Sequence, residues 1–164
     1  THYYEWITAC HLDVNKSGGT MHRAESILSH IYYGFDLKNF FLRLDLKPQS
    51  ADEYSDISLV LDFPLQKKKV KILLSNIPGK TAESLLVESS GVTGQTEKKI
   101  GKAAFGEILE LGISFSGLGI NSGDRFTFTI SILAGNTLLE RWPASGEIPL
   151  TSPTKDYETL YWQV

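Results

Sequence analysis

Aromatic rings offer flat faces for stacking, and charged or amide side chains beside them can then take up hydroxyls. The residues that could share this work are Trp6, Tyr32, Phe41, Trp142 and Trp162, with Glu5, Arg43 and Asp45 as polar companions. Trp6 together with Tyr32 and Phe41 makes the best set. A plainer reading stands beside it, because aromatics favour strands and fill the cores of layered β-proteins. Trp142, which precedes Pro143, and Trp162, near the end of the chain, could each cap one end of such a core.

Other chemistry finds little support. Asp13-Val14-Asn15-Lys16-Ser17-Gly18 has the opening spacing of a calcium loop, with oxygens at positions one, three and five and glycine at six. The bidentate carboxylate that should close the loop is missing, since Ala24 stands there and Glu25 comes one residue late. An ordinary polar loop is therefore expected, and no cofactor. His2, His11, His22 and His30 have no tight ligand spacing, and one cysteine makes no thiolate cluster, so no metal is expected either. His22 reads as a hydrogen-bonded residue pinning its loop. There is no Gly-x-Ser-x-Gly, no phosphate-cradling loop with lysine and no HExxH. Cys10 and His11 are strand neighbours that point to opposite faces, so they form no dyad, and a buried, inert thiol is expected. Nothing sets apart Asp36 and Asp45, or any other carboxylate pair, for hydrolysis.

The elements that must carry these residues are strands. Period-two alternation places Phe40, Leu42, Leu44 and Leu46 on one face, and it recurs at Ile57 to Phe63, Val70 to Leu74, Leu109 to Phe115 and Phe126 to Ile132. Weaker strands are expected over 3–7, 84–88, 137–141 and 158–163. Turn chemistry separates them at Asn76-Ile77-Pro78-Gly79, Ser89-Ser90-Gly91, Asn121-Ser122-Gly123-Asp124 and Ala134-Gly135-Asn136. Thr20 to Leu28 is the one helix candidate. The lysine-rich run Gln66 to Lys71 is expected to form a solvated turn and a sheet edge. The reading is a single all-β domain over 1–164, an antiparallel β-sandwich with one short helix at most.

One hairpin can be taken to its register. Asp36 opens a turn and Asn39 tolerates the left-handed conformation that would close a four-residue loop. Phe35 then faces Phe40, Tyr33 faces Leu42 and Ile31 faces Leu44, which gathers the apolar residues on one side. A three-residue loop would slip the register by one and set His30 and Tyr32 against the leucines. The first register buries more apolar surface, worth about 25 cal/mol per Å². It places His30 opposite Asp45, Tyr32 opposite Arg43 and Gly34 opposite Phe41 on the outer face. That mixture of rings and charge suits a polar ligand or a neighbouring domain.

Composition narrows the function classes. The chain has 164 residues, 41% hydrophobic and 21% charged, with a net charge of −3. An acidic balance argues against a general nucleic-acid binder. No apolar run approaches the roughly 20 residues of a membrane span. The chain starts at Thr1 rather than Met, as expected if an upstream segment has been removed. The single cysteine excludes an internal disulfide, which fits a cytoplasmic protein better than a secreted one.

The hairpin residues also carry a resemblance. Ser29-His30-Ile31-Tyr32-Tyr33-Gly34-Phe35-Asp36, followed by Asn39-Phe40-Phe41-Leu42-Arg43-Leu44-Asp45, resembles the carboxy-terminal domain of family 57 glycoside hydrolases, the α-amylase and α-mannosidase-like enzymes. Tyr4-Glu5-Trp6 and Gly19-Thr20-Met21-His22-Arg23 are similar to what precedes that run in the family, with Thr20 where alanine is usual. Ala104 to Leu118, Gly123-Asp124 and Glu140-Arg141-Trp142-Pro143 are similar to a broader class of sandwiches that includes family 9 carbohydrate-binding modules. The resemblance implies a non-catalytic accessory domain appended to a catalytic (β/α) barrel. The resemblance carries no binding residues over; on the reading of the residues themselves, such a domain would take α-glucan-type carbohydrate through Trp6, Tyr32, Phe41, Arg43, Asp45 and Trp142. The alternative is a structural domain that packs on the barrel and binds no sugar.

Overall fold

The computed structural model describes residues 9–14, 26–47, 57–73, 81–82, 86–89, 100–105 and 108–156. Over these residues the chain forms twelve strands: β1 (Cys10–Asp13), β2 (Leu28–Phe35), β3 (Asn39–Leu46), β4 (Ile57–Phe63), β5 (Lys68–Leu73), β6 (Thr81–Ala82), β7 (Leu86–Ser89), β8 (Gly101–Phe105), β9 (Ile108–Ser114), β10 (Arg125–Ala134), β11 (Thr137–Trp142) and β12 (Ile148–Thr151). They build two sheets of antiparallel pairs. The first runs β1-β2-β3-β9-β8-β6 and the second β11-β10-β4-β5-β7, with β12 paired to the first half of β10. This is the antiparallel β-sandwich that the alternation predicts.

Each alternating run delivers its apolar set to the space between the sheets. Phe40, Leu42 and Leu44 of β3 and Leu109, Leu111 and Ile113 of β9 meet Leu59, Leu61 and Phe63 of β4 and Phe126, Phe128, Ile130 and Ile132 of β10, all buried. Phe40 stands at the centre. Its ring meets Phe63 and Phe126 nearly edge-on, with centroids 6.1 and 5.9 Å away, and Phe128 at 5.0 Å. Tyr33 reaches Phe128 edge-on at 5.4 Å. Such pairs add about 0.5–1.5 kcal/mol each beyond the burial of their area.

The hairpin of β2 and β3 has the register expected for it, with Phe35 opposite Phe40, Tyr33 opposite Leu42 and Ile31 opposite Leu44. Its turn is held differently from the expectation. Lys67 is the one described residue other than glycine with positive φ, so Asn39 is not left-handed. Instead the Asp36 carboxylate accepts the backbone N–H of Lys38 at 2.7 Å and of Asn39 at 2.6 Å. An aspartate that folds back on its own turn removes the need for a strained residue.

Four further expectations are corrected. Leu28, the last residue of the helix candidate, opens β2, because its face must enter the core; 20–25 lie outside the described residues. A short helix forms at α1 (Phe115–Leu118), so β9 stops at Ser114, whose hydroxyl accepts the Gly117 N–H at 3.1 Å. Phe115 is buried all the same, and Gly119, at φ 73°, closes the turn. The lysine-rich run does not form an edge: β5 is paired on both sides, with β4 and β7. Lys68 Nζ reaches the Gly117 carbonyl at 2.7 Å, and Lys69 pairs with Asp62 at 3.2 Å. Cys10 is exposed rather than buried, because β1 is the outermost described strand of its sheet. Burial, with the Cys10 thiol adding to it, pushes the Tyr33 hydroxyl above the ordinary phenol range. The strands expected over 3–7 and 158–163 and the turn at 76–79 lie outside the described residues.

If the Phe40 cluster joins the sheets, Phe40→Ala should cost about 3–5 kcal/mol. Urea unfolding checks this. A loss below about 1 kcal/mol would mean that the sheets are held elsewhere.

Candidate functional site

The outer face of the first sheet is assembled from rows of residues that lie opposite one another across the strands. One row reads His11, Tyr32, Arg43, Glu110 and Ala104, taken from β1, β2, β3, β9 and β8 in turn. The next reads Asp13, His30, Asp45 and Ile108. A third reads Gly34, Phe41, Gly112 and Lys102. Alternation that sends leucines inward in β3 necessarily sends Phe41, Arg43 and Asp45 outward.

The face is pre-arranged. The Arg43 guanidinium grips Asp45 through Nε to Oδ1 at 2.7 Å and Nη2 to Oδ2 at 3.2 Å. Hydrogen bonding to Asp45 raises the guanidinium pKa, opposed by burial and helped by the charges of Asp45 and Glu110. Arg43 also lies 5.1 Å from the centre of the Tyr32 ring. The His11 ring stacks on Tyr32 at 4.5 Å, only 14° from parallel. β1 and β3 flank β2, so these two neighbours approach Tyr32 from opposite sides. His11 Nε2 lies 3.0 Å from His30 Nδ1.

Phe41 is set apart by what surrounds it. Its cross-strand neighbours on both sides are glycines, so no side chain stands directly beside the ring on β2 or β9. A Cβ added at Gly112 would sit 3.2 Å from the Phe41 ring, which therefore lies close over that backbone. Aromatic cover of a cross-strand glycine stabilises a sheet, and it lays the ring along the surface.

Of the residues singled out from sequence, Tyr32, Phe41, Arg43 and Asp45 come together on this face. Trp142 does not join them. It lies on β11 of the second sheet, directly across from Ile130, and packs against the core. Trp6 and Trp162 lie outside the described residues, as do His22 and the Asn15 and Ser17 of the calcium-like loop. The spacing of His11 and His30 gives no reason to pair them. The fold brings them into contact because β1 docks on β2 with Asp13 opposite His30. Among the described residues, no group of three or more His, Cys, Asp or Glu could hold a metal.

Sequence reasoning also misses Glu140. Its carboxylate turns in from β11 and accepts the Trp142 indole N–H at 2.5 Å and the backbone N–H groups of Ile27 at 2.7 Å and Leu28 at 3.2 Å. The Ser26 hydroxyl lies 2.6 Å from it. A clue is present, in that Glu140 alternates with Leu139 and Arg141 on the side that should face the core. A charge there must find partners, and these partners join the second sheet to the start of β2.

Fold and face together define an antiparallel β-sandwich with a charged, aromatic outer surface on one sheet. No family model matches the chain, and no curated protein and no solved structure matches it. No helix among the described residues is long and apolar enough to cross a membrane.

Glu140→Gln should destabilise the fold by about 1.5–3 kcal/mol, since an amide nitrogen would face donors that a carboxylate accepts. Chemical denaturation measures the change. A neutral result would mean that water can replace the carboxylate.

Proposed function

We propose that this chain is a non-catalytic accessory domain of a glycoside hydrolase-like protein, which takes α-glucan-type carbohydrate on the outer face of its first sheet. The observation that supports this reading is the Phe41 ring, flanked by Gly34 and Gly112 and lying over Gly112, with the Arg43–Asp45 fork two to four residues along the same strand face. A ring held flat offers an apolar surface to the C–H face of a sugar. A fixed guanidinium and carboxylate offer donors and acceptors to its hydroxyls. Tyr32 has a different part: with His11 on one side and Arg43 on the other, it orients the guanidinium rather than stacking on ligand.

The make-up of the face also favours a polar ligand over a dry interface. The large hydrophobic residues exposed among those described are Leu37, Leu65, Leu138 and Leu139, and none belongs to the three outward rows. The second reading, in which this face packs on a catalytic (β/α) barrel and binds no sugar, draws on the mutual pairing of Arg43 and Asp45. Groups already paired suit a wet domain contact as well as a ligand.

Calorimetric titration with maltoheptaose and soluble starch decides between them. Saturable heat is expected, lost in Phe41→Ala and weakened roughly tenfold or more in Arg43→Ala, a step of about 1.4 kcal/mol. Trp6→Ala tests whether that residue contributes as well. Absence of heat with every α-glucan, from a protein folded by circular dichroism, would transfer the face to the barrel.

A further inference from the structure

The two imidazoles at the margin of this face need a separate explanation. His11 Nε2 and His30 Nδ1 are 3.0 Å apart and their ring centres 5.2 Å, so the nitrogens point nearly at one another. One N–H bridges them, which requires one ring to donate and the other to accept. Zinc–imidazole bonds of about 2.0–2.1 Å at a tetrahedral angle set two ligating nitrogens about 3.3 Å apart. At a right angle, as in square-planar copper or nickel sites, the separation is about 2.9 Å with similar bond lengths. The observed separation falls between these values.

We propose that His11 and His30 form a two-imidazole chelate for a divalent transition ion of the zinc, copper or nickel class, on the exposed edge of the first sheet. The ion replaces the bridging hydrogen. The ring that donated moves its hydrogen to its far nitrogen, each imidazole then turns a lone pair to the ion, and no net charge leaves the protein. Imidazole is the ligand these ions share. The row Asp13, His30, Asp45 sets a carboxylate on either side of His30; that of Asp45 is balanced by Arg43, and that of Asp13 favours a dication there. Asp45 is held by Arg43, and no third described ligand completes the set. The remaining positions of the ion therefore go to water or to a donor atom of a bound molecule, as in metal sites that keep an open position.

Position gives the chelate a consequence for the fold. Among the described residues β1 is the outermost strand of its sheet and β2 its partner there, so an ion held by both ties these two strands together. Stacking on Tyr32 restrains the His11 ring, which reduces the ordering the ion must impose.

The test is a calorimetric titration of the protein with zinc chloride, paired with nitrogen-15 NMR of the histidine rings. Uptake of one ion per chain is expected, with His11 Nε2 and His30 Nδ1 resonances moving on saturation. His11→Ala and His30→Ala should each weaken uptake by at least the roughly tenfold that loss of even an outer-shell partner causes. His2→Ala and His22→Ala should leave it unchanged. Unmoved ring resonances in the unsubstituted protein would overturn the proposal whatever the variants do. So would zinc uptake that persists in a folded His30→Ala, or that vanishes in His22→Ala. Glucan is absent from these measurements, so their outcome is independent of the carbohydrate reading.

Discussion

Everything on the outer face depends on one contact within the core, where Phe40 of β3 meets Phe63, Phe126 and Phe128 of the opposite sheet. A strand has only two faces. Once Phe40 is committed to the interior, Phe41 is committed to the exterior, and Arg43 and Asp45 follow it at the strand's period of two. The interior ring cluster thereby sets the phase of β3, and β2 and β9 inherit it through their pairing. A slip by one residue would bury Arg43 and Asp45 among leucines and phenylalanines, at a desolvation cost that their mutual attraction would not recover.

The same logic makes much of the fold legible in the amino-acid sequence. The β2–β3 register follows from the loop length that lets Ile31, Tyr33 and Phe35 share a side with Phe40, Leu42 and Leu44, a question that burial answers locally. The long runs in β4 and β10 are legible for the same reason. Where burial depends on distant partners, the sequence is silent. Cys10 alternates like a core residue, yet its strand is the last described one in its sheet. Lys68 and Lys69 resemble edge guards, yet β7 pairs beyond them. Phe115 keeps the apolar phase of β9 while the backbone turns into a helix, because Ser114 and Gly119 cap a single turn.

The candidate face is half legible by the same measure. Neighbours within the hairpin, namely His30 with Asp45 and Tyr32 with Arg43, pair from sequence. The third strand does not, because the four-residue β1 carries too short a pattern to be placed beside β2, and with it comes His11 onto Tyr32 and His30. Glycine carries a signal of its own. Gly112 in an otherwise regular strand marks the place where another residue needs the space, and here that residue is Phe41.

Glu140 has a bearing on how copies of this molecule coexist at high concentration. β11 is the last described strand of its sheet and shows Leu138 and Leu139 to solvent, a combination that invites a second chain to add on. The carboxylate two residues from Leu138 points inward and is held by backbone and indole N–H groups of its own molecule. A strand arriving at that margin would meet a backbone whose alignment is fixed by a charge that cannot be moved without breaking those bonds. The inward charge that closes the sandwich on this side is of the kind by which sheet edges discourage the pairing of a second chain, a task that Lys68 and Lys69, on a strand paired on both sides, are in no position to perform.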